Sequence, residues 1–276
     1  MTKYLEYKFS DSPEFISTFD EVPLWSASFG LLLLKHLELK PNIRVVDIGS
    51  GAGFPLLELA QRLGASSKCF GVDKWANAND RAKQKIRNYG AGNAEVIYGS
   101  ADSLPFPDEN IDLAVSNLGI NNFEEPGRVF EECYRVLKRN GKLAITSNLN
   151  GHWKEFYNIF EETCRQLGTM DIIAKLKEQQ ERRGTVATIS KMFTDCGFSI
   201  TRRFEEKFEM KFLDGSAFLN HYFIKLGWLS SWKDIIPETE QVTVFTQLEI
   251  NLNAYADDRG GLSLIVPMAF IEGQKV

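Results

Sequence analysis

The fold is decided by residues 45–53, which read VVDIGSGAG. The segment begins with β-branched, apolar residues, as expected for a strand buried on both faces of a parallel sheet. Glycines at 49, 51 and 53 then allow a tight turn and a close backbone approach to a ligand, because they carry no Cβ. A helical apolar pattern follows over Leu56–Leu63, with Pro55 tolerated at its start. This strand, glycine turn and helix predict an open α/β sheet with a ligand at the turn.

The spacing of the glycines argues against a dinucleotide loop. Such a loop requires a third glycine where this chain has Phe54. An acid, Asp47, stands two residues before the first glycine, and a carboxylate there repels phosphate and favours a cationic group. The turn therefore favours an ammonium- or sulfonium-bearing ligand over a nicotinamide dinucleotide.

Short apolar runs alternate with amphipathic segments from residue 43 to residue 147. Strands are predicted at Ile43–Ile48, Cys69–Asp73, Ala94–Tyr98, Asp112–Ser116 and Lys142–Thr146. Between them, helices are predicted at Leu56–Leu63, Ala76–Tyr89 and Glu125–Leu137, the last ended by Asn140–Gly141. This alternation is typical of a parallel sheet with right-handed crossovers.

Two flanking segments complete the predicted architecture. Residues 1–42 form a helical cap interrupted at Val22–Pro23, and residues 43–150 form the α/β core. Residues 151–276 add helices and two late strands, Phe198–Phe212 and Leu262–Ile271, with a helical lid at about residues 214–258. We therefore expect one doubly wound, mainly parallel, seven-stranded domain whose helical lid precedes the last strand.

Composition limits the class of partner. The chain has 276 residues, of which 43% are hydrophobic and 25% are charged, and its net charge is -5. An acidic balance disfavours nucleic acid and anionic membrane surfaces as partners. The four cysteines have no metal-ligand or redox spacing, no targeting segment is recognisable, and the longest apolar run is too short to span a bilayer. A cytoplasmic protein without a metal site is the expectation.

The core motifs, taken in order, resemble those of the class I S-adenosylmethionine-dependent methyltransferases. Besides residues 45–53, the chain has FGVD at 70–73, GSADSLPF at 99–106, NIDLAVSN at 110–117 and RVLKRNGKL at 135–143. The resemblance implies that Asp73 binds both ribose hydroxyls, that Asp102 accepts from the adenine amino group, and that the Ala101 N–H meets a ring nitrogen. The residues expected to hold the cofactor are Asp47, Gly49, Ser50, Gly51, Gly53, Asp73, Lys74, Ala101, Asp102, Ser103, Asn117 and Trp25.

The methyl acceptor and any catalytic base are not defined by these motifs. Relatives that act on quinones and other small molecules commonly carry a histidine where this chain has Asn121 and Asn122, which can orient a polar acceptor but cannot act as bases. His152 and His221 are the other candidates for catalysis, and structural roles are at least as reasonable for both. For Trp25, closure over the cofactor and packing of the N-terminal helices are equally reasonable.

The sequence thus predicts a small-molecule methyltransferase (EC 2.1.1.-) that uses S-adenosylmethionine and transfers its methyl group by in-line displacement. A non-catalytic cofactor-binding or partner protein of the same fold is the main alternative. An NAD-dependent oxidoreductase is disfavoured by Asp47 and by the missing third glycine. The oligomeric state cannot be inferred from the sequence.

Overall fold

The computed structural model describes residues 2–9, 11–20 and 24–276. The predicted break at Val22–Pro23 lies outside these residues. Two helices occupy the described part of the N-terminal segment, as predicted: α1 (Pro13–Asp20) and α2 (Leu24–His36). A short 3-10 turn at Lys3–Glu6 precedes them.

Seven strands form one mainly parallel sheet within the described part of the chain, which confirms the predicted fold class. The strands are β1 (Arg44–Ile48), β2 (Lys68–Asp73), β3 (Ala94–Tyr98), β4 (Ile111–Asn117), β5 (Leu137–Asn148), β6 (Phe198–Phe212) and β7 (Leu262–Lys275). Their order is β3-β2-β1-β4-β5-β7-β6, with β1 to β5 parallel and β7 antiparallel to β5. The strand order reverses between β1 and β4, and ligands bind at such a switch point in open α/β sheets.

Helices connect the strands at the predicted places. They are α3 (Leu56–Leu63), α4 (Ala76–Tyr89), α5 (Pro126–Val136), α6 (Lys154–Leu167), α7 (Met170–Glu181), α8 (Val186–Asp195), α9 (Gly215–Asn220), α10 (Tyr222–Gly227), α11 (Leu229–Asp234) and α12 (Glu238–Arg259). Helices α9 to α12 fill the interval before β7, where a helical insertion was predicted. Right-handed crossovers place α3 and α4 on the face of the sheet opposite α5, because the strand order advances in opposite directions from β1.

The predicted connection between α5 and β5 is wrong, although the helix itself ends within one residue of its predicted end. The helix ends at Val136, and β5 starts at Leu137 rather than at Lys142. The register to β4 shifts between the Ile111–Leu137 and Leu113–Lys142 pairs, so the intervening residues form a bulge inside the strand. Asn140 has a φ of 65°, so the Asn-Gly pair belongs to this bulge and not to a helix cap.

The described residues form two compact units. The sheet unit contains Asp11–Asn148, Thr185–Glu206 and Met268–Val276, and the helical unit contains the described residues of Met1–Ser10 with Leu149–Gly184 and Lys207–Pro267. The division predicted at residues 42 and 150, and the expectation of one domain, stay predictions.

Aromatic side chains form the core of the helical unit. Trp153, Phe156, Phe218 and Trp232 are each 0% exposed. The Phe156 and Trp232 ring centroids are 4.5 Å apart, and those of Phe156 and Phe218 are 5.1 Å apart. The aromatic residues of the insertion thus include core residues that hold its helices together.

No helix among the described residues has both the length and the apolar character needed to cross a membrane.

Candidate functional site

A cavity of about 510 Å³ opens in the sheet unit at the carboxyl ends of the strands around the switch point. The loops after β1, β2, β3 and β4 form its walls. It is lined by Gly49, Val72, Asp73, Lys74, Trp75, Gly99, Ser100, Ala101, Asp102, Asn117, Gly119, Asn122, Phe123, Glu124, Glu125 and Val129. Six of the residues predicted from sequence as cofactor ligands lie on this wall: Gly49, Asp73, Lys74, Ala101, Asp102 and Asn117.

Asp73 is the last residue of β2 and lies at the centre of the site. Its Oδ2 accepts a hydrogen bond of 2.8 Å from the Gly51 N–H, and its Oδ1 accepts one of 2.8 Å from the Trp75 N–H. A carboxylate has about four acceptor positions, so about two remain for a ligand. Asp73 therefore joins the glycine turn to the loop after β2 and still has acceptor capacity.

The three glycines of the turn have different surroundings. All have a positive φ (75° at Gly49, 50° at Gly51 and 96° at Gly53), which L side chains rarely adopt. Among the described residues, a Cβ on Gly51 would meet no atom within 4 Å, whereas one on Gly53 would lie 3.0 Å from Leu57 and 3.2 Å from Ala82. Gly49 lines the cavity, Gly51 borders open space, and Gly53 allows α3 and α4 to pack closely.

Asp47 and Ser50 are buried beside the turn and are not among the residues that line the cavity. Asp47 is 0% exposed, and its Oδ2 accepts a hydrogen bond of 3.0 Å from the Leu56 N–H at the start of α3. The pKa of Asp47 is raised to about 8, mainly by burial and to a smaller extent by the nearby Asp73 charge, while the Leu56 hydrogen bond opposes the rise. Ser50 is 1% exposed, and its Oγ lies 2.6 Å from where a Cβ on Gly71 would stand.

The loop after β3 provides the second acidic group of the cavity. Ala101 and Asp102 line it, while Ser103, which was also predicted as a ligand, does not. The Ser103 N–H donates to the Ser100 carbonyl oxygen at 3.3 Å and closes a turn around the two lining residues.

Asn117 is the last residue of β4, and its amide is held by two hydrogen bonds. Its Oδ1 accepts from Thr146 Oγ1 at 2.7 Å, and its Nδ2 donates to the Ser26 carbonyl oxygen at 3.0 Å. These contacts connect the switch point to α2. Trp25, next to Ser26, packs its ring 5.2 Å from that of Phe29 and is not among the lining residues.

The loop after β4, in which Asn121 and Asn122 were considered for orienting an acceptor, forms a further wall of the cavity, and its residues after Asn122 were not predicted from the sequence. Asn122, Phe123, Glu124 and Glu125 line the cavity, and Lys74 Nζ lies 2.9 Å from Glu124 Oε1 at its wall. The strand order β2-β1-β4 brings this loop beside the glycine turn. The switch point between β1 and β4 is therefore the feature from which its place on the cavity wall could have been predicted.

Asn121, a candidate for catalysis, is hydrogen-bonded to the end of β5. Its Nδ2 donates to Asn148 Oδ1 at 2.8 Å, and its Oδ1 accepts from Ser147 Oγ at 2.9 Å. Asn121 is not among the residues that line the cavity, and its amide holds the loop after β4 against β5.

The two histidine candidates belong to the helical unit. His152 is 2% exposed, and its ring centroid lies 4.2 Å from that of Trp153. Burial and the nearby Arg183 charge keep the pKa of His152 well below its usual value, so its imidazole is neutral at pH 7. His221 is partly buried against Phe212, and burial together with Lys225 lowers its pKa. Their proposed roles in catalysis stay predictions.

The residues that the structure describes contain no group of three or more His, Cys, Asp or Glu side chains that could hold a metal ion.

Comparisons with known proteins agree with this geometry. The sequence model of a methyltransferase domain matches residues 46–145. Arsenite methyltransferase of Halobacterium salinarum is 35% identical over 108 residues, which are 39% of this chain and only 28% of that enzyme. Demethylmenaquinone methyltransferase of Listeria welshimeri is 27% identical over 179 residues, which are 61% of this chain and 75% of that enzyme.

Solved structures share the fold. The YcgJ protein of Bacillus subtilis superposes with a TM-score of 0.58 at 20% identity and covers 90% of this chain and 98% of its own. A SAM-dependent methyltransferase from Aquifex aeolicus gives 0.55 at 22% identity, with 71% of this chain and 92% of its own covered.

The fold and the cavity define an α/β protein with an acidic ligand site after the first four strands. Together with the domain match and the methyltransferase relatives, they show that the chain belongs to the class I S-adenosylmethionine-dependent methyltransferases. S-adenosylmethionine is therefore its cofactor.

Proposed function

We propose that this protein transfers the methyl group of S-adenosylmethionine to a small-molecule acceptor and that the cofactor occupies the cavity of the sheet unit. The observation that carries the proposal is the set of lining residues, in which Asp73 and Asp102 follow neighbouring strands and Gly49 opens the turn after β1. The cavity volume of about 510 Å³ is in the usual range for small-molecule sites, about 300–1,000 Å³.

The chemistry of the wall suits an adenosine with a cationic tail. The acceptor capacity left on Asp73 matches a ribose diol, and Asp102 provides a carboxylate for the adenine amino group beside the Ala101 N–H. Gly51 borders open space in which the ligand can approach the backbone. Four carboxylates and one ammonium group, Lys74, line the cavity, and this balance disfavours the pyrophosphate of a dinucleotide.

The remaining predicted ligands have supporting roles in this proposal. Asp47 binds the first N–H of α3 and fixes the turn from behind. Asn117 connects β4 to α2 and fixes the position of α2 relative to the switch point. Gly53 and Ser50 pack the turn, while Lys74 and Glu124 form an ion pair at the cavity wall.

The sulfonium of the bound cofactor supplies an electrophilic methyl group, so the protein mainly has to align the acceptor. Holding the attacking atom about 3–3.5 Å from the methyl group can contribute about 7–11 kcal/mol. A general base is needed only for an acceptor that must lose a proton. His152 and His221 are the side chains we propose to examine for such a role, and Asn121, whose amide cannot act as a base, is the one we propose to examine for orienting the acceptor.

The acceptor is proposed to be a small molecule because the relatives are named for arsenite and demethylmenaquinone. The acidic net charge of -5 supports an acceptor other than a nucleic acid and a protein that is not held at an anionic membrane. We also propose a cytoplasmic location, since the cysteines in the described chain are all free thiols.

Two measurements test this function. S-adenosylhomocysteine should raise the melting temperature, and NAD should not. The wild-type protein should then transfer the label of a methyl-labelled cofactor to one of several pools of small acceptors. The Asp73→Asn variant should lose this activity. Binding without transfer to any pool would favour a non-catalytic cofactor-binding protein, and stabilisation by NAD instead would refute the cofactor assignment.

A further inference from the structure

One arginine holds the segment that follows the cavity residues Ala101 and Asp102. The Arg135 side chain lies near the end of α5 and reaches the segment Leu104–Asp108. Its Nη1 donates to the Phe106 carbonyl oxygen at 2.9 Å, and its Nη2 donates to the Leu104 carbonyl oxygen at 3.1 Å. Nη1 also lies 2.7 Å from Asp108 Oδ1.

A glutamate one turn earlier on α5 completes the arrangement. Glu132 accepts from Arg135 Nε at 2.7 Å and from Nη2 at 2.8 Å, which is a bidentate pair. The same Glu132 Oε2 accepts from the Leu104 N–H at 2.8 Å. Both backbone groups of Leu104 are thus bound by one ion pair, and the Arg135 hydrogen bonds hold the pKa of Glu132 below its usual value.

We infer that Arg135 and Glu132 form a clamp that positions Asp102 for adenine recognition, an inference that rests on the proposed function. One residue separates Asp102 from Leu104, so their Cα atoms are at most about 7.6 Å apart, and a shift of Leu104 moves Asp102. The Leu104 side chain is 4% exposed, and the Phe106 ring packs 5.3 Å from that of Phe70. The segment is therefore rigid on its α5 side while Ala101 and Asp102 face the cavity.

Arginine is required because its planar group makes all of these contacts at once. Lysine retains the charge but cannot bind one carboxylate through two nitrogens and two carbonyl oxygens in the same plane. Arg135→Lys should therefore keep the charge of α5 and loosen the segment. Arg62→Lys is the matched control, because Arg62 pairs with Glu58 on α3 at 2.7 Å in an exposed position.

The test compares two ligands by calorimetry: S-adenosylhomocysteine and its unsubstituted purine analogue, in which a hydrogen atom replaces the adenine amino group and the ring nitrogens remain acceptors. The wild type and Arg62→Lys should bind the adenine compound about tenfold more tightly than the analogue, the effect of one lost hydrogen bond. Arg135→Lys should bind S-adenosylhomocysteine about tenfold more weakly and should retain at most a twofold preference for adenine. Glu132→Gln should give a smaller loss in the same direction.

The preference for adenine separates positioning from general destabilisation. A lower melting temperature with an unchanged preference in both Arg135→Lys and Glu132→Gln would overturn the clamp. An Arg135→Lys protein that binds S-adenosylhomocysteine as the wild type does would also overturn it. If the wild type does not bind S-adenosylhomocysteine at all, the proposed function itself is wrong, so the two failures are distinguishable.

Discussion

Replacing Asp73 by asparagine changes one atom at the centre of the cavity. The carboxylate accepts from the Gly51 and Trp75 N–H groups at 2.8 Å each and is proposed to accept from both ribose hydroxyls. An amide has one acceptor oxygen with two lone pairs and two donor hydrogens. In Asp73→Asn, therefore, one backbone N–H and one ribose hydroxyl lose their acceptor.

The magnitude follows from these bonds. A hydrogen bond to a charged group contributes about 1.5–3 kcal/mol, so S-adenosylhomocysteine should bind roughly ten- to a hundredfold more weakly to Asp73→Asn. The unpaired backbone N–H is part-buried, which places the loss of folding free energy near 1 kcal/mol, the low end of the range for such a group. Affinity should fall much more than stability.

Calorimetric titration with S-adenosylhomocysteine and urea unfolding measure the two quantities on the same protein. Asp80→Asn is the control, because Asp80 lies on the next helix and forms an exposed ion pair with Lys83. It should change both free energies by less than about 0.5 kcal/mol. An Asp73→Asn protein that binds within twofold of the wild type would refute the ribose assignment.

Three further replacements test other parts of the structure. Because the pKa of Asp47 is raised to about 8, the native state holds a proton that the unfolded chain has released between about pH 4 and pH 8. The free energy of unfolding of the wild type should therefore fall, relative to that of Asp47→Asn, as the pH rises through this range. Parallel pH profiles of the two proteins, measured by urea unfolding, would contradict this. Phe218→Ala should lower the free energy of unfolding by about 3–5 kcal/mol, because the ring is 0% exposed. Val242→Ala, at an exposed position, should lower it by less than about 0.5 kcal/mol. Gly30→Ala should cost about 1–3 kcal/mol in chemical unfolding, because its Cβ would lie 2.3 Å from the Phe54 ring; unchanged stability would show that this ring yields freely.

The helices and strands of the core could be predicted because their signals are local. The buried strand at Val45 and Val46 and the charged helix Ala76–Tyr89 each show their period over a few residues. The start of β5 could not be predicted, because the extended conformation of Leu137 depends on its pairing with Ile111. An Asn-Gly pair marks a bulge or a helix end equally well when the partner strand is unknown.

The motifs and their spacing along the sequence predicted which loops surround the cavity, but not which residues of those loops face it. Asp73, Asp102 and Asn117 end or follow strands, and their positions on the wall follow from the parallel sheet. Asp47 is also at a strand end, yet its carboxyl group binds the start of α3, because the turn folds back over it. The wall formed by Phe123 and Glu124 comes from a loop distant in sequence, and only the strand order places it there.

The most direct test of the account is a crystal structure of the protein with S-adenosylhomocysteine. We predict that the adenosine occupies the cavity of the sheet unit, with both ribose hydroxyls within about 3.2 Å of the Asp73 carboxylate and the adenine amino group within the same distance of Asp102. Density for the ligand elsewhere, or an adenosine whose ribose does not contact Asp73, would contradict the assignment.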